Sequence, residues 1–448
     1  MGTPKTPKKK IPRIAPAGGT ASVDAARVSG LSQLGRFLRL FGPGVITGAS
    51  DDDPSGIATY AVAGASQGFR TLWMALLTLP MMAAVQFMCA KIGMVTGRGL
   101  GGVLKQHYSR PVLYAAVFAL VAANVLNAGA DIGAIAAGFN LLLPVSPRLL
   151  IIPISLVIVV LQVWGSYRLI ANIFKWLSLV LCTYILSAFF AKPALGEVLR
   201  GSLLPSFAWN RDFLTLTVGI LGTTISPYLF FWQSNQEVEE EIAAGRTTVA
   251  ARKGATKAEL RYAGIDVTIG MFLSNLVMYF IILSTAATLF KAGKTDIQTA
   301  ADAAMALRPI AGRAAEVLLA VGLIGTGFLA VPILTGSSAY AVSEALGWKH
   351  GLDRRPQNAK SFYGLIAVST FVGMAINFTS ISAVKALYLS AVINGLLAPP
   401  LLVLILRICN DPRIMGKRVN GRLLNWGGWA TALVMTLAAL FLLISFFL

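Results

Sequence analysis

The sequence predicts an all-α polytopic membrane protein in which two of the membrane helices are broken. Of its 448 residues, 56% are hydrophobic and only 13% are charged, whereas a soluble domain carries about 25% charged residues. Apolar runs of about 20 residues, the length that spans a bilayer, recur along the whole chain. The first and the sixth of these runs are each interrupted by polar residues and a proline. These observations predict a helical bundle with a polar site inside it.

Eleven membrane spans are predicted from the apolar runs. They cover residues 41–66, 70–95, 111–142, 148–165, 170–191, 213–236, 262–290, 312–343, 361–378, 382–407 and 424–448. We interpret spans one to five as a first repeat over 41–195 and spans six to ten as a second repeat over 213–407. The eleventh span, 424–448, stands apart from both. Residues 1–40 are polar, basic and rich in Pro, Gly and Ala, so we expect a disordered basic tail.

The distribution of basic residues predicts the orientation of the chain. Most of the 38 Lys and Arg residues lie in the tail and in the alternate loops on its side of the membrane, and basic loops stay cytoplasmic. The N-terminus is therefore predicted to be cytoplasmic and the C-terminus external, in the plasma (inner) membrane. The net charge of +19 follows largely from this asymmetry and suits anionic lipid. We expect a monomer in the lipid bilayer and no nucleic-acid partner.

The interruption of the first span is the most informative segment of the chain. Three consecutive carboxylates, Asp51, Asp52 and Asp53, lie in an otherwise apolar run, and Pro54 and Gly56 follow at once. A charge at the bilayer centre costs roughly 3 kcal/mol on insertion scales, so such charges are retained where they have a function. Proline removes a helix hydrogen bond and glycine tolerates any backbone conformation, which predicts a helix break. A broken membrane helix with carboxylates can build a cation site.

The sixth span contains a second interruption, in which small and polar residues precede Pro227. The segment reads Gly219-Ile220-Leu221-Gly222-Thr223-Thr224-Ile225-Ser226-Pro227. If the two halves of the chain are repeats, the two interruptions occupy corresponding positions, which is the pattern of a transporter site between inverted repeats. An ordinary proline kink is the alternative for either break alone. Two matched breaks, one of them acidic, favour a substrate site.

These motifs resemble those of the Nramp family of metal transporters. Gly42-Pro43-Gly44, eight residues and then Asp53-Pro54-Ser55-Gly56 is similar to the family's first-helix signature. Further similar segments are residues 95–98, 219–228 and 413–420, and the resemblance covers roughly 36–448. The resemblance implies a leucine-transporter-like fold, with two inverted five-helix repeats plus an eleventh helix. It also implies divalent-metal transport by alternating access.

Departures from the family pattern concern its metal ligands. The family's sixth-helix methionine aligns with Ser226, and its two histidines align with Tyr228 and Gln233. Its first-helix asparagine aligns with Gly56 and its tenth-helix glutamine with Ala391. Thioether and imidazole ligands favour transition metals, whereas carboxylate, carbonyl, hydroxyl and water suit Mg, Ca or Mn. The chain is most similar to the Nramp-related magnesium transporters, which implies that Mg²⁺ is carried and that Mn²⁺ is carried as well.

A second departure concerns proton coupling. The acidic pair of the family's third helix aligns with Asn127 and Ala130, and Asp131 lies one place off, which on a helix turns it to another face. These losses imply uptake without proton coupling, driven by the ion gradient and the membrane potential. An inward-negative potential of 100 mV favours entry of a divalent cation by about 4.6 kcal/mol. Asp131 is the nearby group that would serve a displaced proton path, and Asp53 itself is a second candidate.

The predicted metal site has Asp53 as its central ligand. Backbone carbonyls near Gly56 and Thr223 and the hydroxyl of Ser226 complete it, because a broken helix exposes oxygens at a negative dipole end. Other polar positions are assigned to the ion path or to the surroundings of the ion; they are Asp51, Asp52, Asn127, Asp131, Tyr228, Gln233 and Asn394. The alternative for the acidic positions is that they are charges in the vestibule with no contact to the ion. The alternative for the asparagines is that they link helices by hydrogen bonds. No cofactor is expected, since Mg²⁺ or Mn²⁺ is the transported substrate.

Three other classes of protein share some of these features. A proton-coupled Mn²⁺ or Fe²⁺ transporter keeps the fold but requires the missing methionine and histidines. A sodium-coupled amino-acid symporter has broken helices, but three aspartates would repel its carboxylate substrate. A Mg-dependent membrane prenyltransferase requires a second Asp-rich motif, whereas Asp131, Asp266 and Asp302 stand alone in the sequence. The sequence therefore predicts a transporter and not an enzyme.

Overall fold

The computed structural model of the chain describes residues 42–165, 182–297, 299–308, 312–352, 354–379 and 381–447. The predicted tail at 1–40 and most of the predicted fifth span at 170–191 lie outside the described residues. Within the described ranges all regular secondary structure is helical. The predicted all-α class is therefore confirmed.

The first half of the chain begins with the broken span. Its helices are α1 (Pro43–Asp51), α2 (Pro54–Gln67), α3 (Leu72–Thr96), α4 (Leu100–His107), α5 (Arg110–Leu142), α6 (Pro147–Trp164), α7 (Thr183–Phe190) and α8 (Leu195–Leu203). A 3₁₀ turn at Gly68–Thr71 joins α2 to α3. The predicted first break therefore lies between α1 and α2, at Asp52 and Asp53.

The second half begins with the other broken span. Its helices are α9 (Arg211–Thr224), α10 (Pro227–Ala243), α11 (Val249–Arg252), α12 (Lys257–Thr285), α13 (Ala300–Ala304), α14 (Ala315–Leu346), α15 (Lys360–Ala375), α16 (Ala383–Asn410), α17 (Pro412–Met415) and α18 (Arg422–Ile444). The second break lies between α9 and α10, at Ile225 and Ser226. Both predicted interruptions are thus confirmed as ends of helices.

Nine helices among the described residues are long and apolar enough to cross a membrane. The prediction was eleven spans, and the difference has two causes. The predicted first and second spans share one helical stretch, Pro54–Thr96, because only the 3₁₀ turn separates α2 from α3; its 43 residues are more than one crossing needs. The predicted fifth span lies mostly outside the described residues. The chain is therefore a multi-pass membrane protein.

Glycines bring α1 into backbone contact with α12. A Cβ atom at Gly44 would lie 2.5 Å from the Val267 amide nitrogen, and one at Gly48 would overlap the Gly270 carbonyl. At the start of α1, the Asp266 carboxylate of α12 accepts hydrogen bonds from the amides of Gly42, at 3.0 Å, and Gly44, at 2.7 Å. These amides lie at the start of α1, where the N–H groups of a helix have no carbonyl partner within the helix itself. The contact fixes the end of α1 that leads into the first break.

Candidate metal centre

The first break is caused by Pro54, which begins α2. Proline has no N–H, so the Ser50 carbonyl four residues earlier loses its helical partner. The Tyr228 hydroxyl, from the start of α10, donates to this carbonyl at 2.9 Å. A carbonyl oxygen has two lone pairs, so it retains one for another ligand. Tyr228, which aligns with a family histidine, therefore holds the two broken spans together.

The second break repeats this arrangement at Pro227, which begins α10. The carbonyl left without its helical partner is that of Thr223. The Ser226 hydroxyl oxygen lies 2.7 Å from the Thr223 carbonyl oxygen and 2.8 Å from the Gly222 carbonyl oxygen, and its one hydrogen is donated to this end of α9. The lone pairs of the Ser226 oxygen are not used by these contacts.

Asp53, the predicted central ligand, is held by donors from two sides of the break. It is the N-cap of α2, and its Oδ1 accepts from the Gly56 amide and the Ser55 hydroxyl, both at 2.7 Å. Its Oδ2 accepts from the Asn127 amide of α5 at 3.0 Å. Asn127 is in turn fixed by the Ser390 hydroxyl of α16 at 2.8 Å. The carboxylate is only 1% exposed, so it is fully desolvated and rigidly oriented.

The small gap at Gly56 is lined by oxygens from three segments. A Cβ atom at Gly56 would lie 3.3 Å from the Thr223 hydroxyl and 3.4 Å from the Asp51 carbonyl oxygen. The Ser55 hydroxyl lies 3.4 Å from the same Thr223 hydroxyl. The structure therefore brings predicted site residues Gly56 and Thr223 together with Asp53, and a larger side chain at Gly56 would crowd these oxygens.

Asp51 and Asp52 turn away from Asp53, toward α12. The Ser274 hydroxyl lies 2.8 Å from Asp51 Oδ2 and 3.2 Å from Asp52 Oδ1. The other oxygen of Asp51 is buried and has no hydrogen-bond partner in the part of the chain that the structure describes. Both carboxylates are buried, so they are not charges on an open vestibule.

Asp131 does not stand alone. It lies one helical turn after Asn127 on α5, and residues four apart share a helix face. Its carboxylate is fully buried, interacts electrostatically with Asp53 and lies near the Ser55 amide. Among the residues that the structure describes, neither of its oxygens finds a hydrogen bond of ordinary geometry. Asp131 was predicted to lie on a different face of α5 from its neighbour Ala130. That face is the one that Asp131 shares with Asn127, and it is directed toward the first break.

The two remaining predicted positions behave differently. Gln233 accepts a hydrogen bond from Thr47 of α1 and donates to Glu237 at 2.9 Å. It thus continues a polar line along α1 and α10. Asn394 is fully buried on α16, and neither atom of its amide has a hydrogen-bond partner among the described residues. Asn394 therefore forms no tie between helices.

Four hydroxyl residues at the site were missed by the sequence analysis. They are Thr47, Ser55, Ser274 and Ser390, each within hydrogen-bond distance of a predicted site residue. Helical spacing gives a partial signal for two of them, namely the helix face but not the helix that this face meets. Thr47 precedes Asp51 by four residues, and Ser274 follows Asp266 by eight, so each lies on a face with an acidic residue.

The two breaks together enclose four buried carboxylates, from Asp51, Asp52, Asp53 and Asp131. In the part of the chain that the structure describes, no lysine or arginine forms an ion pair with any of them. Uncompensated buried charge is strongly destabilising, so cations or protons must occupy this region. Within the same ranges no three His, Cys, Asp or Glu side chains form a ready-made metal cage. The available ligands are hence carboxylates combined with carbonyl, hydroxyl and water oxygens.

A pocket of about 370 Å³ approaches the site along α2. Its wall includes Ile57 and Ala58, one turn beyond Asp53, and further residues of α5, α13, α14 and α16. The lining near the site is apolar, and Asp53 itself is buried. The pocket therefore ends one helical turn from the carboxylates, which are closed off from it in this structure.

Solved structures with a similar fold are transporters. A mutant form of a manganese transporter from Eremococcus coleocola matches with a TM-score of 0.71 and 18% identity, over 93% of this chain and 88% of that one. Mhp1, a nucleobase-cation-symport-1 family transporter in a closed conformation, matches with a TM-score of 0.57 and 15% identity, over 91% and 90%. At these identities the likeness shows the fold alone. The leucine-transporter-like fold is confirmed, and its division into two inverted repeats stays a prediction.

Relatives with a known name are also transporters. The divalent metal cation transporter MntH of Yersinia enterocolitica is 29% identical over 416 residues, which cover 91% of this chain and 95% of that protein. MntH of Pectobacterium carotovorum is 27% identical over 412 residues, which cover 91% and 94%. Transporters are not enzymes, and the prenyltransferase alternative is set aside. A family model described as natural resistance-associated macrophage protein-like matches residues 44–445, and the chain accordingly belongs to this family, Nramp.

Proposed function

We propose that this protein carries Mg²⁺, and also Mn²⁺, across the membrane by alternating access and without proton coupling. The observation that carries the proposal is the oxygen-only set of ligands around Asp53. The relatives named above are divalent metal and manganese transporters, which supports a divalent cation as the cargo. The absence of thioether and imidazole at the aligned positions Ser226, Tyr228 and Gln233 supports a hard cation.

In this proposal, Asp53 binds the ion and the neighbouring oxygens complete its shell. Carbonyls near Gly56 and Thr223 and the hydroxyl of Ser226 contact the ion directly or through water. Mg²⁺ releases its water reluctantly and binds through one or two carboxylates while it keeps several waters. Glycine at position 56 and serine at position 226 leave more room for these waters than the family's asparagine and methionine. Asp131 supplies a second negative charge beside the ion.

Movement of the two broken spans provides access from alternate sides. The positive-inside rule assigns the start of α1 to the cytoplasm, so the pocket along α2 opens to the outside. The line from Thr47 through Gln233 to Glu237 then leads toward the cytoplasm. A closed conformation lies between the two open ones. With this orientation the membrane potential alone favours net uptake.

Two contacts support transport without protons. Tyr228, at the place of a family histidine, is engaged with the Ser50 carbonyl. Asn127, at the place of a family carboxylate, is an amide that bridges Asp53 and Ser390. Neither group relays protons near neutral pH. The second candidate is a proton-coupled Mn²⁺ transporter, and Asp131 is the observation that favours it. Asp131 is a buried carboxylate near the site, and among the described residues it has no hydrogen bond of ordinary geometry.

Reconstituted protein in liposomes tests both candidates at once. A Mg²⁺ dye and a pH dye are followed in parallel, with Mg²⁺ or Mn²⁺ outside and a K⁺-diffusion potential, inside negative. We expect metal entry that follows the potential, no metal-dependent acidification and little response to an imposed pH gradient. Metal-dependent proton entry that Asp131→Asn abolishes would establish the proton-coupled candidate instead. A lack of Mg²⁺ entry, with Mn²⁺ entry intact, would overturn the assignment of Mg²⁺.

A further inference from the structure

Asp51 and Asp52, the two carboxylates on the α12 side of the first break, have too few hydrogen-bond donors around them among the described residues. Ser274 has one hydroxyl hydrogen, yet its oxygen lies 2.8 Å from Asp51 and 3.2 Å from Asp52. It can therefore satisfy one of the two carboxylates at a time. Asp51 is 0% exposed, and its Oδ1 has no hydrogen-bond partner within the described ranges of the chain. A buried, unpartnered carboxylate oxygen beside a second carboxylate is a ligand position for a cation.

This group is separate from the carboxylate that we assign to the first ion. Asp53 directs its oxygens to donors of α2 and α5, namely Gly56, Ser55 and Asn127. Asp51 and Asp52 direct theirs to α12 through Ser274. The break therefore divides its negative charges between two sides.

When all four buried carboxylates are ionised, they carry more negative charge than one divalent ion balances. Asp53 and Asp131 on the α5 side carry two charges when ionised, which one divalent cation balances. Asp51 and Asp52 on the α12 side carry two more, and in the described residues no basic side chain is paired with them. An ion at Asp53 thus leaves a second buried pair of charges to be balanced.

We infer that Asp51, Asp52 and Ser274 form a second binding station for a hard divalent cation, of the same class as the cargo. The inference rests on the proposed function, which places the first ion at Asp53. The three side chains supply only oxygen ligands, which suit Mg²⁺ and Mn²⁺. Asp51 lies one helical turn from Thr47, where the polar line through Gln233 and Glu237 begins. The second station therefore stands between the first ion and that line.

The number of Mn²⁺ ions bound per chain tests the inference. Purified full-length protein in detergent is titrated with Mn²⁺, free Mn²⁺ is measured by electron paramagnetic resonance, and only ions that excess Mg²⁺ displaces are counted. We expect two ions for the wild type and one for Asp53→Asn. Ser274→Ala removes a ligand and the shared donor, so we expect one ion at the concentration that saturates both stations in the wild type. Asp52→Asn is a second variant for the same station, also with one ion expected.

Ser284→Ala is the matched control on the same helix. Ser284 is buried in α12, and its hydroxyl donates to the Ile281 carbonyl of its own helix, so two ions are expected. One ion in the wild type would overturn the second station. Two ions in folded Ser274→Ala and Asp52→Asn proteins would overturn it as well, because the second ion would then lie elsewhere. Failure of the proposed function is a separate result, namely no metal flux in liposomes from a wild type that binds two ions.

Discussion

The two breaks of this molecule share a backbone design but differ in charge. In each break a proline begins the second helix, and a hydroxyl at the start of α10 takes up the carbonyl that the proline leaves without a partner. The first break then adds Asp51, Asp52 and Asp53, whereas the second has only neutral groups such as Thr223 and Ser226. The comparison teaches that the prolines set the backbone geometry of both breaks and that the aspartates set the difference in charge between them.

The difference assigns separate tasks to the two breaks. In the proposed function, charge on one side attracts the cation, and neutral oxygens on the other side replace part of its water shell without repelling it. A second set of carboxylates at α9 and α10 would increase the repulsion between buried charges. The neutral break also keeps the total charge low enough for divalent ions to balance.

The largest expected effect comes from removal of the charge in the first break. Asp53→Asn keeps an N-cap for α2, because asparagine caps helices as well as aspartate, but it removes the carboxylate. We expect Mg²⁺ flux in liposomes to fall more than about 100-fold, beyond the loss typical of groups that merely orient a ligand. Asp53→Ala should lose the same flux and about 1 kcal/mol of stability as well. Near-normal flux in either folded variant would show that charge at this position is dispensable.

A smaller effect is expected when the geometry of a break is changed without its charge. Pro227→Ala supplies an N–H for the Thr223 carbonyl, and alanine is favoured over proline in a helix interior by about 3 kcal/mol. We expect the second break to close in part and Mg²⁺ flux to fall about tenfold, which corresponds to about 1.4 kcal/mol. Pro54→Ala is the companion variant for the Ser50 carbonyl. Unchanged flux in both would mean that the breaks do not depend on their prolines.

The smallest expected effect is a change in selectivity at the neutral break. Ser226→Met introduces a soft thioether and takes up space for water, so we expect a several-fold fall in Mg²⁺ flux and stronger competition by Cd²⁺ or Mn²⁺. Ser226→Ala, which removes the hydroxyl without adding sulfur, is the control and should not strengthen Cd²⁺ competition. Because Gly56 and Ala391 also differ from the family, a complete switch is not expected. Identical Mg²⁺ and Cd²⁺ behaviour in the wild type and Ser226→Met would place Ser226 outside the ion site.

The parts of the site that were predicted from sequence are those with a local signal. Proline and glycine act on their own segment of chain, so both breaks could be placed before any packing was known. Asp53 was identifiable because a carboxylate in an apolar span is costly. Its proximity to Gly56 then follows from the N-cap geometry of α2, which needs no tertiary contact.

The parts that were missed depend on which helices pack together. Ser274 is 223 residues from Asp51, and Ser390 is 263 residues from Asn127. Helical periodicity gives the face on which such residues lie but not the helix that the face meets. Serine in a membrane helix also has a local option, since its hydroxyl can bond to its own backbone, as Ser284 does. Only the packed structure distinguishes serines that bond to their own backbone, such as Ser284, from those at the site, such as Ser274 and Ser390.

The attachment of α1 to α12 has a mechanical consequence. The Asp266 cap holds the first turn of α1, the glycines hold its middle at backbone distance, and Ser274 holds its last turn through Asp51. These contacts are spread along the helix, from Gly44 in its first turn to Asp51 at its end. A hinge motion of α1 alone would have to break all of these contacts at once. A motion in which α1 and α12 rotate together as one rigid unit therefore costs less free energy. In such a motion the hydrogen bond from the Tyr228 hydroxyl to the Ser50 carbonyl oxygen would have to break.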